Sequence, residues 1–442
     1  MDAATTIRDS FRRLPDAAAL DPLLERVGDA RFVLLGEASH GTSEFYGWRA
    51  AITERLVREK GFSLIAVEGD WPDCLHVHRH LADRPDAAED TAAVLEGFAR
   101  WPRWMWANEE ILGLLRRLRE RNAQLPPEER TGFFGLDVYS LWDSLQAVLD
   151  YLREHEPDQV GAAMSAYRCF EPYAGDERAY ARSTALVPPG CADEVASLLT
   201  GMRQGAMAAE TGSAGTAGDA GGSAERLAAV QNAEVVANAE RYYRSMIGGG
   251  TGAWNIRDTH MADTLERLVD HYGRGAKAVV WAHNTHIGDA RATDMAAASM
   301  VNLGQLMRER RAHEGVVAVG FGTHSGTVIA GRHWGADPEP MTVPPARAGS
   351  LEDRLHGVLH GGAAIAVFPE SGEPPEWAAR TLDHRAIGVV YRPAYEAWSN
   401  YVPTVAGRRY DAFVHCDRTS AVHPLHRAEP APREPETYPS GV

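Results

Sequence analysis

Residues 31–70, RFVLLGEASHGTSEFYGWRAAITERLVREKGFSLIAVEGD, decide the fold class. RFVLLG (31–36) and SLIAV (63–67) are short continuous apolar runs, the pattern of strands buried on both faces. Between them, residues 42–60 place Phe45, Trp48, Ile52, Leu56 and Val57 at helical spacing, an apolar stripe along one face. Strand, helix and strand within about 35 residues make a βαβ unit, so the two strands run parallel in one sheet.

Working outward, similar runs predict strands at 132–136, 276–281, 316–320, 364–368, 387–391 and 412–415. From about 140 to 270 the pattern is helix-forming, with no convincing strand. The expected fold is α/β: a mainly parallel sheet covered by helices, with a helical insertion and a smaller C-terminal α+β part. The division is 1–140, an N-terminal α/β half with the first motifs; 141–270, the insertion; 271–423, the α/β half that completes the sheet; and 424–442, a proline-rich tail. Residues 205–223 are almost entirely Gly, Ala, Ser and Thr, which predicts a flexible loop able to act as a lid. The GGGTG at 248–252 resembles a phosphate loop superficially, because no strand precedes it and no Gly-Lys-Ser/Thr follows.

The 442 residues are 44% hydrophobic and 24% charged, which excludes wholesale disorder. Lys+Arg 45 against Asp+Glu 61 leaves a formal charge of −16, which argues against general affinity for nucleic acid or anionic membrane. No uncharged apolar run approaches the roughly 18 residues of a membrane span, and the first 20 residues carry no signal-peptide core. Cys74, Cys169, Cys191 and Cys416 are scattered without a C-x-x-C, which fits a reducing compartment and no cysteine-ligated zinc. The expectation is a cytoplasmic protein acting on a small molecule.

In an open α/β sheet, ligands bind beyond the carboxyl ends of the strands. The segments expected there are rich in ionisable residues. GEASHGTSE (36–44) follows the first strand, EGDWPD (68–73) the second, DVY (137–139) the third, AHNTHIGD (282–289) the fourth and GTHSG (322–326) the fifth. Glu37-x-x-His40 offers a histidine base with an orienting carboxylate. Glu68 strengthens the reading, since a carboxylate ending a buried strand is costly unless paired. His283-x-x-His286 adds two histidines. Arg49 could hold a carboxylate or a developing oxyanion; the plainer alternative is a solvated residue lying past Trp48. Ser39 resembles the nucleophile of G-x-S-x-G, but Glu37 stands where the first glycine belongs, leaving Ser39 a runner-up. Asp70, Asp73 and Asp289 read as turn and cap residues, and His76, His78 and His80 as one helix surface. The inventory of Glu37, His40, Glu68, His283 and His286 would also suit a divalent metal. These residues fall on loops without the fixed spacing of known zinc motifs, so no cofactor is the favoured expectation.

Taken together, LLGEASHGTSEFYGWR, GFSLIAVEGDWPD, WNIRDTHMA and AVVWAHNTHIGDA resemble the erythromycin esterase family, in its erythromycin esterase-like and succinoglycan-biosynthesis-like branch. The resemblance runs from about Arg31 to Asp417. It implies an α/β fold with a helical insertion and hydrolysis of a carboxylic ester or macrolide lactone, the activity behind antibiotic resistance in that family. By that resemblance His40 is the base that activates water, Glu37, Glu68, His283 and His286 complete the catalytic set, and Arg49, Arg257 and Glu44 contact substrate. One departure is Ala107, in WPRWMWANEE, where the close branch implies an arginine. The competing class is a biosynthetic or binding protein using the same pocket on a polysaccharide or modified sugar.

Overall fold

The computed structural model describes residues 3–84, 87–88, 90–174, 177–184, 190–212, 220–246 and 250–426. Eleven strands are described: β1 (Phe11–Arg13), β2 (Phe32–Leu35), β3 (Leu64–Asp70), β4 (Gly132–Asp137), β5 (Ala278–Trp281), β6 (Val316–Ala330), β7 (Glu339–Val343), β8 (Ala363–Val367), β9 (Thr381–Arg385), β10 (Tyr401–Val405) and β11 (Ala412–Thr419). Nine form one sheet in the order β1-β8-β11-β6-β2-β5-β3-β4, with β7 added to β6; β9 and β10 pair separately. The middle of the sheet is parallel, since β6, β2, β5 and β3 all run the same way and β11 runs with β6. Antiparallel β8 and β1 flank it.

The sequence explains this centre. β2, β3, β4 and β5 are buried at every residue, as strands covered on both faces must be, and this is why their sequences run apolar without alternation. The helix Ser43–Glu59 buries Phe45, Ile52, Leu56 and Val57, the stripe read from the sequence.

Three boundaries differ from expectation. β3 continues through Glu68, Gly69 and Asp70, so these residues lie in the strand. β6 continues to Ala330 because β11 pairs with it as far as Gly326 and β7 takes over from there, so residues 322–326 are strand as well. Residues 387–391 form no strand. Ile387 and Val390 make single bridges to Ser39 and Gly331, and Ile387 and Tyr391 are buried against Val328, Ala330, Met341 and Val343. Their apolarity serves packing, without a ladder.

The chain divides into two compact units, residues 1–67, 77–133 and 274–442 in one, and 68–76 with 134–273 in the other. In the second, the helices Leu141–His155, Val160–Phe170, Ala192–Gly212, Ala220–Met246 and Gly252–Tyr272 close around Leu145, Leu149, Leu152, Phe170, Val236 and Tyr242. The flexible loop expected at 205–223 is therefore corrected: residues up to 212 and from 220 onward are helical, and 213–219 lie outside the described residues. Alanine, the best helix former, outweighs the interspersed glycines once the helices pack. Cys169 and Cys191 are joined in a disulfide across 22 residues, contrary to the expectation of reduced thiols, while Cys74 and Cys416 are free and buried. Spacing alone could not reveal that pair. Of the expected tail, Pro424 bridges Asn108 and Leu425 donates to the Ala107 carbonyl, while residues 427–442 lie outside the described set. Among the described residues no helix is long and apolar enough to cross a membrane.

Candidate active site

The carboxyl ends of β2 and β5 are neighbours, Leu35 opposite Trp281. The segment after each turns back over the sheet edge. After β2, two glycines permit the turn. A Cβ at Gly36 would fall 2.1 Å from the Asn284 side-chain oxygen, and one at Gly41 would fall 2.0 Å from the Ile329 carbonyl oxygen. Only a hydrogen side chain allows these approaches. Between them stand Glu37 and His40, both 2% exposed.

Glu37 uses both oxygens. Its Oε1 lies 3.0 Å from His40 Nδ1, and its Oε2 accepts from Arg49 Nη2 at 2.7 Å. Arg49 lies along the following helix, 1% exposed, with its guanidinium 4.4 Å from the Tyr46 ring and 4.6 Å from the Trp281 ring. Among the described residues its Nε and Nη1 find no hydrogen-bond partner. Arg49 thus holds a carboxylate, that of Glu37, while clamped between two aromatic faces. Tyr46 donates to the Met105 carbonyl at 2.9 Å, and burial, followed by the charge of Glu37, raises its phenol pKa well above the ordinary value. Glu44, also expected to contact substrate, accepts from the Ser420 backbone N–H at 2.7 Å and from its hydroxyl at 2.8 Å. It fastens the chain after β11.

His40 sits 4.9 Å, ring to ring, from His283. Their protonation patterns are opposite. Paired with a carboxylate oxygen, which accepts, His40 carries its proton on Nδ1. His283 caps the short helix Asn284–Ile287, and its Nδ1 accepts from the Thr285 backbone N–H at 3.3 Å. A neutral His283 therefore carries its proton on Nε2. The Thr285 hydroxyl lies 2.8 Å from the same Nδ1. His286 is buried on the same helix. Ser39 is 1% exposed and its hydroxyl is hydrogen-bonded to that of Thr42. Asp289 caps the turn after it, as its position suggested.

Glu68 and Arg257 belong to the second unit. Arg257, 3% exposed, donates through Nη2 to Glu68 Oε1 at 2.8 Å and to Asp137 Oδ2 at 2.7 Å, and through Nε to Asp137 Oδ1 at 2.9 Å. Its guanidinium lies 4.8 Å from the Tyr139 ring, and among the described residues its Nη1 has no hydrogen-bond partner. Burial opposes its charge, yet Asp137, Tyr139 and Glu68 hold its pKa well above the ordinary arginine value. Asp137 was visible in the sequence only as a residue ending a strand. Its fork with Arg257 spans 120 residues, for which no local signal exists.

Glu37 is committed to His40 and Arg49, and His283 Nδ1 accepts from Thr285. Among the described residues no group of three or more His, Cys, Asp or Glu is arranged to hold a metal ion.

The erythromycin esterase family model matches residues 57–419, far more than half of the sequence. The chain belongs to the erythromycin esterase family. Membership supports an esterase-type hydrolase. The matched span includes Glu68, Arg257, His283 and His286 and begins after Glu37, His40 and Arg49. Three solved structures share the fold. A succinoglycan biosynthesis protein is 21% identical with a TM-score of 0.74, over 95% of this chain and 97% of that one. A Bacillus cereus protein is 18% identical with a TM-score of 0.78, over 96% and 98%. A mutant of the erythromycin esterase EreC in its open conformation is 16% identical with a TM-score of 0.67, over 93% and 98%.

Proposed function

We propose that this family member hydrolyses a carboxylic ester or lactone, macrolide-type lactones first among them, by water activated at His40 without a covalent intermediate. The observation that carries the reading is a pair of buried histidines 4.9 Å apart, His40 with Nδ1 against the Glu37 carboxylate and His283 with Nδ1 accepting from the Thr285 N–H; we read the first as base and the second as donor. Water attacks the acyl carbon as its proton passes to His40 Nε2. Glu37 accepts the Nδ1 proton's hydrogen bond and steadies the imidazolium, and Arg49 holds the other oxygen of Glu37 in place. The oxyanion accepts from His283 Nε2–H, and His286 stands beside it on the same short helix. Collapse expels the alkoxide, which takes its proton back from His40. A lactone leaves as the hydroxy acid, heavier by one water.

No step calls for a metal or other cofactor, and the partner is a small-molecule ester, not nucleic acid or membrane. Within the second unit, Arg257 with its unpartnered Nη1 is offered as an anion-binding group, held by Glu68 and Asp137.

The test is incubation of purified protein with a panel of macrolides, simple alkanoate esters and acylated sugars, followed by mass spectrometry. Gain of one water on a lactone, or release of acid from an ester, supports the reading. A protein that binds acylated sugars and hydrolyses none of the panel would favour the biosynthetic or binding role.

A further inference from the structure

The turn that carries His283 and His286 is held from beneath by side chains remote in sequence. Asn284, 1% exposed, is its hub. Its backbone N–H donates to the Glu37 carbonyl at 2.9 Å, and its own carbonyl accepts from Arg409 Nη2 at 2.9 Å. Its side-chain Oδ1 accepts from the Phe321 N–H at 3.2 Å, while Nδ2 donates to the Phe321 carbonyl at 2.7 Å. That double bond to β6 leaves only one orientation for the amide. The same Nδ2 lies 3.1 Å from His384 Nε2, which must therefore be an acceptor. The His384 proton then sits on Nδ1 and is donated to Glu352 Oε1. Glu352, on the helix Leu351–Leu359, is 0% exposed, and its Oε1 also accepts from the Arg385 N–H at 3.1 Å. Burial, with Arg409 and Arg385 nearby, holds the His384 pKa below the ordinary value against the pull of Glu352, which keeps the imidazole neutral and accepting.

We propose that Glu352, His384 and Asn284 form a positioning relay that fixes the His283–His286 turn against Glu37. None of the three reaches the reacting atoms. A buried carboxylate and imidazole contribute little net stability compared with apolar residues of the same volume. What they supply is direction. The relay ends on Asn284, whose N–H joins the backbone of Glu37 to the segment between the two site histidines. Gly36 belongs to the same device, because its missing side chain is the space the Asn284 amide occupies. The 4.9 Å spacing of His40 and His283, and the tautomer of each, thus depend on residues from the last quarter of the chain. The proposal rests on the reading of His40 as base and His283 as donor.

The test compares His384→Leu, His384→Gln and Asn284→Asp with the wild-type chain. The leucine removes both polar contacts. The glutamine offers an oxygen toward Asn284 and an amide N–H toward Glu352. Histidine ring signals are followed by NMR, and kcat and KM are measured on the best ester of the panel. We expect His384→Leu to fold, to shift the His283 and His40 ring signals, and to lower kcat about 10- to 100-fold with KM nearly unchanged, as small misplacement of reacting groups does. His384→Gln should restore most of both. If His384→Leu does not fold, Asn284→Asp decides, since it keeps the size and the Oδ1 contact but loses the donor to His384 and Phe321. It should show the same loss and the same shifts. A folded His384→Leu or Asn284→Asp with unchanged ring signals and unchanged kcat would overturn the relay. If the wild-type chain hydrolyses no ester, the hydrolytic reading fails, and the ring signals alone still decide the relay.

Discussion

Replacing Glu37 by glutamine should invert the tautomer of His40. The carboxylate accepts on both sides, from His40 at Oε1 and from Arg49 at Oε2. Glutamine has one acceptor and one donor to divide between them. Arg49 is always charged and fully buried, so the amide oxygen turns to it and the amide N–H faces His40 Nδ1. Nδ1 must then accept, and the proton moves to Nε2, the atom that should receive the proton of water. Restoring the competent form would oppose two buried donors, at about 1–3 kcal/mol each. Loss of the carboxylate charge beside the imidazolium removes a few kcal/mol at an effective dielectric near about 20. Both costs fall on one contact and do not add; the larger alone, about 3–5 kcal/mol, lowers kcat by roughly 10²–10⁴, a scale consistent with the roughly 10⁴-fold loss when the analogous inversion is made in a Ser-His-Asp triad. The assay is kcat and KM on the best ester of the panel, with ¹⁵N NMR of His40 to read which nitrogen holds the proton. A folded Glu37→Gln protein with kcat within about threefold of wild type would refute the reasoning.

Ser39→Ala should keep most activity, and serine-directed phosphonates should leave the protein unlabelled, because Ser39 is buried with its hydroxyl on Thr42; stoichiometric labelling at Ser39 would instead require a covalent mechanism. Burial, aided by Arg267, lowers the pKa of His260 from 6.5 to about 3. The unfolded chain therefore binds the extra proton first as pH falls, and stability is lost from about pH 6.5 downward at up to about 1.4 kcal/mol per unit. Urea midpoints at pH 7 and pH 5 should fall less in His260→Gln than in wild type, and equal falls would count against this. Exhaustive chelation should leave ester hydrolysis intact, whereas loss restored by added Zn²⁺ or Mn²⁺ would turn His40 from base into ligand.

The parallel centre of the sheet was legible because strands buried on both faces must be apolar throughout and helices between them must carry a 3.6-residue stripe. That Glu37, His40 and His283 come close together was legible because topology brings the ends of their strands side by side. That Arg49 could hold a carboxylate was legible, but its helix position does not show that the carboxylate is that of Glu37. Contacts made across the fold were beyond reach: His384 and Asn284 meet over 100 residues, and Glu68, Asp137 and Arg257 come from three separate segments. The disulfide had no spacing signature. Helix through residue 212 was missed because composition weighs glycine against alanine locally, while the outcome depends on packing.

The account rests on His40 as the base. The most direct measurement is kcat and KM of His40→Ala beside wild type on the best ester of the panel, with circular dichroism to establish that the variant folds. The expected result is a kcat lower by about 10²–10⁴ with KM nearly unchanged, the signature of losing a positioned proton acceptor. A folded His40→Ala protein that hydrolyses the ester at the wild-type rate would contradict it.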